Sequence, residues 1–309
     1  MKTILVTGCA GFIGSNLCFK LLEKNRVIGV DNFISGQRQN VDDLKKNSRF
    51  VFIRQDITKP LTIKKHLDEI WNLACPASPV DYFHYPIETL MTGSIGVKNV
   101  LDLALKKKAK FLHTSTSEIY GEPKEHPQKE TYWGHVNPIG PRSCYDEGKR
   151  FAESLIENYR EKYQLDTKIV RIFNTYGPRM RINDGRVISN FITQSLKGKN
   201  LTVYGQGFQT RSFCFVDDLV KGLIKMMVSG EHGPINLGNP EEYSVLKLAK
   251  KIIKLTKSKS KIVFLPLPKD DPTRRKPDIT LAKKKLVWQP KVSLQKGLLE
   301  TINYFEEVL

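Results

Sequence analysis

The sequence predicts an α/β fold in which helices cover both faces of a doubly wound parallel sheet. Short runs of apolar and β-branched residues alternate with amphipathic helical patterns through the first half of the chain. This alternation is typical of parallel strands joined by right-handed helical crossovers. With 309 residues, of which 40% are hydrophobic and 27% charged, the chain is also long enough to bury a substantial core. We therefore expect it to be folded from end to end.

The individual elements can be placed from their periodicity. Strands are predicted at residues 3–7, 27–30, 50–53, 69–73, 110–114 and 168–173, with helices between them at 13–23, 87–107 and 144–163. The later part is less regular, with helices at 186–197, 217–227, 244–255, 279–286 and 294–306 and a short strand at 201–204. We expect residues 1–175 to form one domain with a return contribution from about 212–238. Residues 176–309 are then mainly a smaller, interleaved C-terminal lobe.

A glycine-rich turn joins the first predicted strand to the first predicted helix. Gly8, Gly11 and Gly14 recur at every third position. Glycines there allow a tight turn and let a pyrophosphate approach the free amides of the helix N-terminus. Asp31 closes the second strand, where a carboxylate accepts from a ribose 2′-hydroxyl and repels a 2′-phosphate. Together these features predict a Rossmann-type domain that binds NAD and not NADP.

Tyr145 and Lys149 lie four residues apart on one face of a predicted helix. The ordinary pKa of tyrosine is about 10, but a nearby ammonium and a nicotinamide cation would both favour its phenolate. This spacing is common by chance, and its value here comes from the preceding Thr116, Ser117 and Glu118. They follow a predicted strand at its carboxyl end, where open parallel sheets bind ligands. The pattern predicts removal of a hydroxyl proton coupled to hydride transfer.

Charge and cysteine content limit the other functions. The net charge of +18 comes largely from short lysine runs, without the interleaved aromatic residues that favour single-stranded nucleic acids. We expect a solvated basic surface that attracts an anionic substrate and no nucleic-acid partner. The five cysteines are scattered and form no Cys-x-x-Cys pair, so no disulfide framework or metal site is expected. No apolar stretch approaches the roughly 20 residues of a membrane span. These features favour a cytoplasmic protein.

The order of several motifs resembles that of the extended short-chain dehydrogenase/reductases (NAD-dependent epimerases and dehydratases) that modify nucleotide sugars. The motifs are GCAGFIGS, DNF, STSEIYG, YDEGKR, RIFNTYGPRM, VYGQGFQTRSF, VDD and NLGNPEE. Within this family, further segments are similar to the UDP-glucuronate decarboxylases, or UDP-xylose synthases. These segments are NLACPASP, HPQKETYWGHVNPIGPRSCYDEGKR, DGRVISNF and DDPTRRKPDI. The resemblance covers essentially the whole chain.

The resemblance implies conversion of UDP-glucuronate to UDP-xylose in three stages. Tyr145, helped by Lys149 and a hydroxyl of Thr116 or Ser117, removes the proton of the sugar 4-hydroxyl while NAD accepts the hydride. The resulting ketone lies β to the carboxylate and accepts the electrons released as carbon dioxide leaves. The enolate is then protonated, and the bound NADH returns its hydride.

The same resemblance implies roles for further residues. Glu118 is expected to handle protons or assist ring distortion, and Arg275 to engage the substrate and supply the enolate's proton. The expected UDP-sugar contacts are Asn174, Arg179 and Arg211, with Tyr204 and Gln209 near the uridine and Asn99, Tyr159 and the segment from Val187 to Asn190 near the substrate. The expected NAD contacts are Phe12, Ile13, Asn32, Phe33, Asp56, Ile57 and Thr175, together with Gly8, Gly11, Gly14, Asp31, Tyr145 and Lys149.

The family resemblance also implies a homodimer that uses the helices at 87–107 and 144–163 as contact faces. One departure lies in the first of these helices, where Gly93 stands at a position that carries Asn in most such enzymes. The change removes a side-chain hydrogen bond near the cofactor helix. We expect altered local packing without loss of activity.

Three other interpretations stay open at the level of the sequence. A nucleotide-sugar 4,6-dehydratase also oxidises carbon 4, but these enzymes typically carry Asp before the Glu, where this chain has Ser117, a poor general acid. A 4-epimerase would rotate the substrate and retain its carboxylate. A non-catalytic NAD- or RNA-binding member could share the fold, although Tyr145, Lys149 and Glu118 are all present.

Overall fold

The computed structural model describes residues 1–266 and 274–309, so the first four residues of the DDPTRRKPDI motif lie outside the described residues. The strands are β1 (Thr3–Thr7), β2 (Arg26–Asp31), β3 (Phe50–Arg54), β4 (Glu69–Asn72), β5 (Lys110–Thr116), β6 (Thr167–Ile172), β7 (Thr175–Tyr176), β8 (Leu201–Tyr204), β9 (Thr210–Ser212), β10 (Cys214–Phe215), β11 (Ile235–Leu237), β12 (Glu242–Ser244), β13 (Ile262–Leu265) and β14 (Arg274–Arg275). The helices are α1 (Phe12–Leu22), α2 (Arg38–Lys45), α3 (Pro79–His84), α4 (Pro86–Met91), α5 (Val97–Lys107), α6 (Ser143–Tyr163), α7 (Val187–Leu196), α8 (Val216–Val228), α9 (Val245–Leu255), α10 (Thr280–Leu286) and α11 (Leu294–Val308).

Seven parallel strands form the main sheet in the order β11-β6-β5-β4-β1-β2-β3. The chain starts near the middle of this sheet and winds first to one edge and then to the other. This arrangement confirms the predicted doubly wound α/β fold. The strand order reverses between β1 and β4, and ligands bind beyond the carboxyl ends of the strands at such a point.

The side chains of β1 show how the sheet is buried on both faces. Ile4 and Val6 pack into one apolar cluster with α1, α2 and α8, whereas Leu5 packs into a second cluster with α5 and α6. Successive residues of a strand point to opposite faces, and here both faces are covered. The two clusters therefore fix the ends of the central strands, and with them the loops that follow each strand.

Short strands in the later part of the chain pair into small sheets. β9 pairs with both β12 and β14, β8 pairs with β13, and β7 pairs with β10. In the pairing of β9 with β14, Arg211 lies directly beside Arg275. β11 returns to the main sheet and pairs with β6.

The structure corrects the prediction of one continuous helix over residues 87–107. The segment is divided into α4, a π-helical turn at Thr92–Gly96, and α5. Gly93 lies in this turn against the backbone of α6, since a Cβ at Gly93 would lie 2.9 Å from the carbonyl oxygen of Gly148. Single π turns of this kind occur mostly as bulges within α-helices. The helices in the described ranges, 1–266 and 274–309, include none with the length and hydropathy needed to cross a bilayer.

Candidate functional site

A cavity of about 510 Å³ opens at the carboxyl ends of β1, β4, β5 and β6. Its walls come from the glycine turn, the end of β5, the first turns of α6 and the segments around α7, β9 and β14. It brings together most of the predicted site residues: Gly8, Gly11, Phe12, Ile13, Gly14, Thr116, Ser117, Glu118, Tyr145, Lys149, Asn174, Thr175, Val187, Asn190, Tyr204, Gln209, Arg211 and Arg275.

The glycine turn has the shape that a dinucleotide site needs. Gly8 has a φ of +74°, and a Cβ there would lie 2.7 Å from the amide nitrogen of Ala74. A Cβ at Gly14 would lie 2.0 Å from the carbonyl oxygen of Gly8. α1 begins after Gly11 without a side-chain cap and has no acidic residue in its first turn, and Phe12, Ile13 and Gly14 of this turn line the cavity. A helix N-terminus of this kind binds a pyrophosphate.

Asp31 lies beside this turn at the end of β2. Its carboxylate accepts hydrogen bonds from the amides of Ala10 at 3.0 Å and Phe33 at 2.8 Å. Burial raises the pKa of Asp31 above its ordinary value. The backbone amide of Asn32 also interacts with this carboxylate. A carboxylate has about four lone-pair sites in all, so it can accept a ribose hydroxyl as well. The residues present therefore fit NAD.

The remaining predicted cofactor residues surround the ends of β2 and β3. The Asn32 amide donates to Asp56 at 3.1 Å, and Phe33 takes a positive φ of 64°. Ile57 is buried, and its carbonyl accepts from Asn99 at 2.9 Å. These residues adjoin the glycine turn and do not line the cavity itself.

Tyr145 and Lys149 project from α6 under the end of β5. The Lys149 ammonium donates to the Thr114 carbonyl at 2.6 Å and lies 5.9 Å from the centre of the Tyr145 ring. The Thr116 hydroxyl hydrogen-bonds to the Tyr145 side chain and lowers its pKa, but burial outweighs this effect and holds the pKa well above its usual range. Burial also lowers the pKa of Lys149. Burial therefore favours the neutral phenol of Tyr145, whereas a positive charge beside the ring would favour the phenolate.

Glu118 occupies the 3-10 turn after β5 and is surrounded by guanidinium groups. Its Oε2 accepts from Arg142 at 2.5 Å and from Arg275 at 3.2 Å. Despite burial, the charges of Arg275, Arg142 and Arg211 lower the pKa of Glu118 to about 2. Arg275 is buried and also donates to the Ser117 carbonyl at 2.7 Å. The carboxylate is therefore ionised and held at the cavity wall.

Three predicted substrate contacts do not reach the cavity. Asn99 on α5 donates to the backbone of Ile57, and Tyr159 on α6 donates to Asp102 at 2.5 Å. Asn99 is thus held against the loop after β3, and Tyr159 is held against α5. Arg179 lies over the Phe19 ring and pairs with Asp43 of α2 at 3.1 Å. The structure places these three residues against other elements, so direct contact with a ligand in the cavity is not supported.

Several cavity residues were missed by the sequence reasoning. Tyr82 stacks on Tyr145 with 5.3 Å between ring centres, and Arg142 pairs with Glu118. Arg181 pairs with Asp81 at 2.5 Å. Tyr82 and Arg181 lie outside the segments that carry the resemblance, whereas Arg142 lies inside the long HPQKETYWGHVNPIGPRSC segment. The sequence signal that could have identified Arg142 as a cavity residue was its position three residues before Tyr145.

Comparison with known proteins places these features in a wider group. The family described as GDP-mannose 4,6-dehydratase matches residues 5–301. UDP-glucuronic acid decarboxylase 1 of Danio rerio is 52% identical over 309 residues, covering 100% of this chain and 73% of the relative. UDP-glucuronic acid decarboxylase 6 of Arabidopsis thaliana is 52% identical over 297 residues, covering 96% of this chain and 86% of the relative.

Solved structures give the same fold. UDP-glucose 4-epimerase from Thermotoga maritima superposes with a TM-score of 0.90 at 31% identity, covering 99% of both chains. UDP-glucuronic acid 4-epimerase from Bacillus cereus, in complex with UDP-glucuronic acid and NAD, superposes with a TM-score of 0.86 at 30% identity. That match covers 99% of this chain and 100% of the other.

Proposed function

The chain belongs to the NAD-dependent epimerase/dehydratase family of nucleotide-sugar enzymes, and we propose that it decarboxylates UDP-glucuronate to UDP-xylose. The observation that carries this conclusion is the near-complete, 52% identical match to UDP-glucuronic acid decarboxylases of vertebrate and plant origin. The cavity supplies the groups that this reaction needs, namely a buried Tyr145–Lys149 pair and an ionised Glu118 within a group of arginines.

The first stage removes the proton of the sugar 4-hydroxyl. Tyr145 is the base in this proposal, since Thr116 hydrogen-bonds to it and Lys149 is fixed beneath it by the Thr114 carbonyl. Of the two hydroxyl groups considered for this step, Thr116 and Ser117, we assign the role to Thr116. Ser117 is buried, and its carbonyl accepts from Arg275.

The glycine turn, Asp31 and the neighbouring residues named above would hold NAD. When bound, NAD supplies the hydride acceptor for carbon 4 and the hydride that reduces the ketone at the end of the reaction. The protein's part is to fix the sugar, to exclude water and to manage protons. In the proposed division of labour, residues 1–175 with about 212–238 bind NAD, and 176–309 mainly bind the UDP-sugar.

The second stage releases carbon dioxide from the 4-keto sugar. Arg142, Arg211 and Arg275 line the cavity, and the charges of all three guanidinium groups act on Glu118. Guanidinium groups suit both a pyrophosphate and a sugar carboxylate, because they donate in a planar fork. This charge would hold an anionic nucleotide sugar with its carboxylate inside the cavity, next to the ketone that accepts the electron pair.

A UDP-glucuronate 4-epimerase is the second candidate, because a solved epimerase that binds UDP-glucuronic acid and NAD shares the fold. Both reactions begin with oxidation at carbon 4. They differ in whether the carboxylate stays on the sugar. Identity favours the decarboxylase, at 52% against 30%.

The proposed assembly is a homodimer in the cytoplasm. Apolar side chains on α4, the π turn and α6 face outwards, with exposures of 65% for Ile87, 43% for Ile95 and 52% for Phe151. These residues lie on the two predicted contact helices, and a second copy of the chain would bury them. All five cysteines are free thiols, which suits a reducing compartment.

Mass spectrometry of the products tests the proposed function. The purified protein is incubated separately with UDP-glucuronate and UDP-glucose. We expect UDP-glucuronate to become lighter by carbon dioxide and UDP-glucose to stay unchanged. An isomer of UDP-glucuronate with unchanged mass and a new chromatographic retention would support the epimerase instead. Loss of water from UDP-glucose would support a dehydratase.

A further inference from the structure

Two of the segments that carry the resemblance meet at one buried glutamine. Gln128 lies in the long HPQKETYWGHVNPIGPRSC segment and is buried with 0% exposure. Arg275 lies in the RRKPDI part of a second segment. No step of the proposed reaction uses Gln128, although its contacts lead directly to a residue of the cavity wall.

Gln128 binds the backbone that follows Arg275. The Gln128 amide donates to the Lys276 carbonyl at 2.9 Å, and the Asp278 amide donates to the Gln128 carbonyl at 2.9 Å. The side chain adds to this contact, since its Oε1 accepts from the Lys276 amide at 2.9 Å and its Nε2 donates to the Glu125 carbonyl at 2.7 Å. The peptide group that joins Arg275 to Lys276 is therefore bound by the side chain of Gln128.

The other edge of this segment pairs with β9. Arg275 lies beside Arg211 in the parallel pairing of β14 with β9, and the Ser212 hydroxyl donates to the Arg275 carbonyl at 3.3 Å. β14 has only two residues, so this pairing supplies few hydrogen bonds. It also brings two like charges side by side, and these repel each other. The contact with Gln128 is the second edge that holds the segment in place.

The position of this segment determines where the Arg275 guanidinium lies. Arg275 is buried with 1% exposure and lines the cavity. Its guanidinium donates to the Ser117 carbonyl at 2.7 Å and to Glu118 Oε2 at 3.2 Å. These two residues directly follow Thr116, which hydrogen-bonds to Tyr145. Arg275 therefore lies on the wall nearest the proposed base, at the end of the cavity where the sugar would bind.

We propose that Gln128 is a positioning residue that sets the Arg275 guanidinium for the carboxylate of the sugar. This inference rests on the proposed decarboxylase function. Gln128 does not line the cavity, so it acts through the peptide group between Arg275 and Lys276. Without its side chain, the backbone hydrogen bonds of residue 128 remain, but this peptide group loses its acceptor. A displaced guanidinium weakens binding and turnover of a sugar with a carboxylate and leaves binding of a neutral sugar unchanged.

The test compares Gln128→Met with wild type and with the control Gln194→Met. Methionine keeps the length of the side chain and removes both of its hydrogen bonds. Gln194 is a matched control, because its side chain accepts from the Thr202 amide at 3.1 Å and donates to the Thr202 hydroxyl at 2.9 Å. We expect kcat/KM for UDP-glucuronate to fall about 10- to 100-fold in Gln128→Met, as for a lost hydrogen bond to a charged group. Gln194→Met should behave as wild type.

Binding of UDP-xylose separates this role from a general loss of structure. UDP-xylose carries no carboxylate, so its dissociation constant should be the same in Gln128→Met and wild type, and the NAD content should also be the same. The dissociation constant of UDP-glucuronate should rise in the variant.

A double-mutant cycle with Arg275→Gln shows whether Gln128 acts through Arg275. Residues that act through one interaction give losses that do not add as free energies. Adding Gln128→Met to Arg275→Gln should therefore cause no further loss of kcat/KM.

Substitutions at Lys276 test the same hydrogen bond from its other partner, and they carry the test if Gln128→Met does not fold. Lys276→Pro removes the N–H that donates to Gln128. Lys276→Ala keeps this N–H and removes only the side chain, which pairs with Glu242 at 3.5 Å. We expect Lys276→Pro to lose as much kcat/KM as Gln128→Met while it still binds UDP-xylose. Lys276→Ala should keep most of the activity.

Three outcomes would overturn the inference. They are an unchanged kcat/KM for UDP-glucuronate in Gln128→Met, an equal loss of affinity for UDP-xylose, and fold-losses that multiply in the double variant. If wild type itself releases no carbon dioxide from UDP-glucuronate, the proposed function fails. This result is distinguishable from a wild type that decarboxylates and a Gln128→Met variant that does so equally well.

Discussion

Replacing Tyr145 by Phe would remove one hydroxyl from the cavity and leave the ring stacked on Tyr82. Because this hydroxyl is the proposed base for the 4-hydroxyl proton, we expect kcat to fall about 10²- to 10⁴-fold. NAD content and thermal midpoint should stay close to those of wild type. The rate of UDP-xylose formation is the measurement. Tyr163→Phe, a half-exposed tyrosine on the same helix, is the control and should keep full activity. Equal rates for the two variants would remove Tyr145 from the mechanism.

The lowered pKa of Glu118 predicts a contribution to the free energy of unfolding that depends on pH. Its pKa is lowered from an ordinary value of 4.5 to about 2, which corresponds to roughly 3 kcal/mol. A lowered folded-state pKa stabilises the protein above the unfolded value, and the gain is lost as pH falls from 4.5 towards 2. Glu118→Gln should therefore be less stable than wild type at pH 7, by a margin that shrinks in acid. Urea denaturation at several pH values in this range measures the difference in free energy of unfolding between wild type and Glu118→Gln. A difference that does not change with pH would contradict the pairing of Glu118 with the arginines.

The contact between the π turn and α6 predicts different effects on stability when each of its two glycines, Gly93 and Gly148, is replaced by Ala. A Cβ at Gly93 would lie 2.9 Å from the Gly148 carbonyl oxygen, whereas a Cβ at Gly148 would lie 3.8 Å from the nearest atom, the Thr89 oxygen. We expect Gly93→Ala to cost about 1–3 kcal/mol, as overpacked sites do. Gly148→Ala should be neutral or stabilising by up to about 1 kcal/mol, since Ala favours helix. Chemical denaturation measures the free energy of unfolding of each variant. Equal changes in Gly93→Ala and Gly148→Ala would contradict the described packing.

The same contact shows why the sequence predicted some elements better than others. The apolar periodicity of residues 144–163 continues through Gly148, and α6 is indeed one helix. The periodicity of 87–107 is just as continuous, but Gly93 must approach the backbone of α6, and a π turn results. This cause lies in a distant segment and leaves no local pattern. Strands of two residues, such as Cys214–Phe215 and Arg274–Arg275, depend entirely on their partners and have no period to detect.

The sequence predicts a site residue well when its position beside a strand end or on a helix face determines where its side chain lies. Gly14, Tyr145 and Glu118 lie beside predicted strand ends or on a predicted helix face, and all of them line the cavity. Tyr159 also follows an apolar pattern on α6, but its hydroxyl bonds to Asp102 of α5. Which face of α6 meets the cavity depends on how the helix is rotated against the sheet, and spacing alone does not give that rotation.

At the scale of the whole molecule, the outward apolar face of α4 and α6 predicts a change in assembly. Phe151 is 52% exposed in the single chain. A charge there would be buried without a partner in the proposed dimer, which costs several kcal/mol. Phe151→Asp should therefore shift the protein to a monomer in sedimentation. Leu299→Asp, on an exposed position of α11, is the control and should stay dimeric. A dimeric Phe151→Asp variant would place the interface elsewhere.

The proposed reaction is a complete cycle on one bound sugar, in which carbon 4 is oxidised, carbon dioxide is lost and carbon 4 is reduced again. The most direct test is a mass spectrum of the product formed from UDP-glucuronate that carries deuterium at carbon 4, with no cofactor added. We expect UDP-xylose that is lighter than the substrate by carbon dioxide alone and retains the deuterium. A product that has lost both carbon dioxide and the deuterium would show that the cycle stops at the ketone. An unchanged mass both without and with added NAD would contradict the decarboxylase assignment itself.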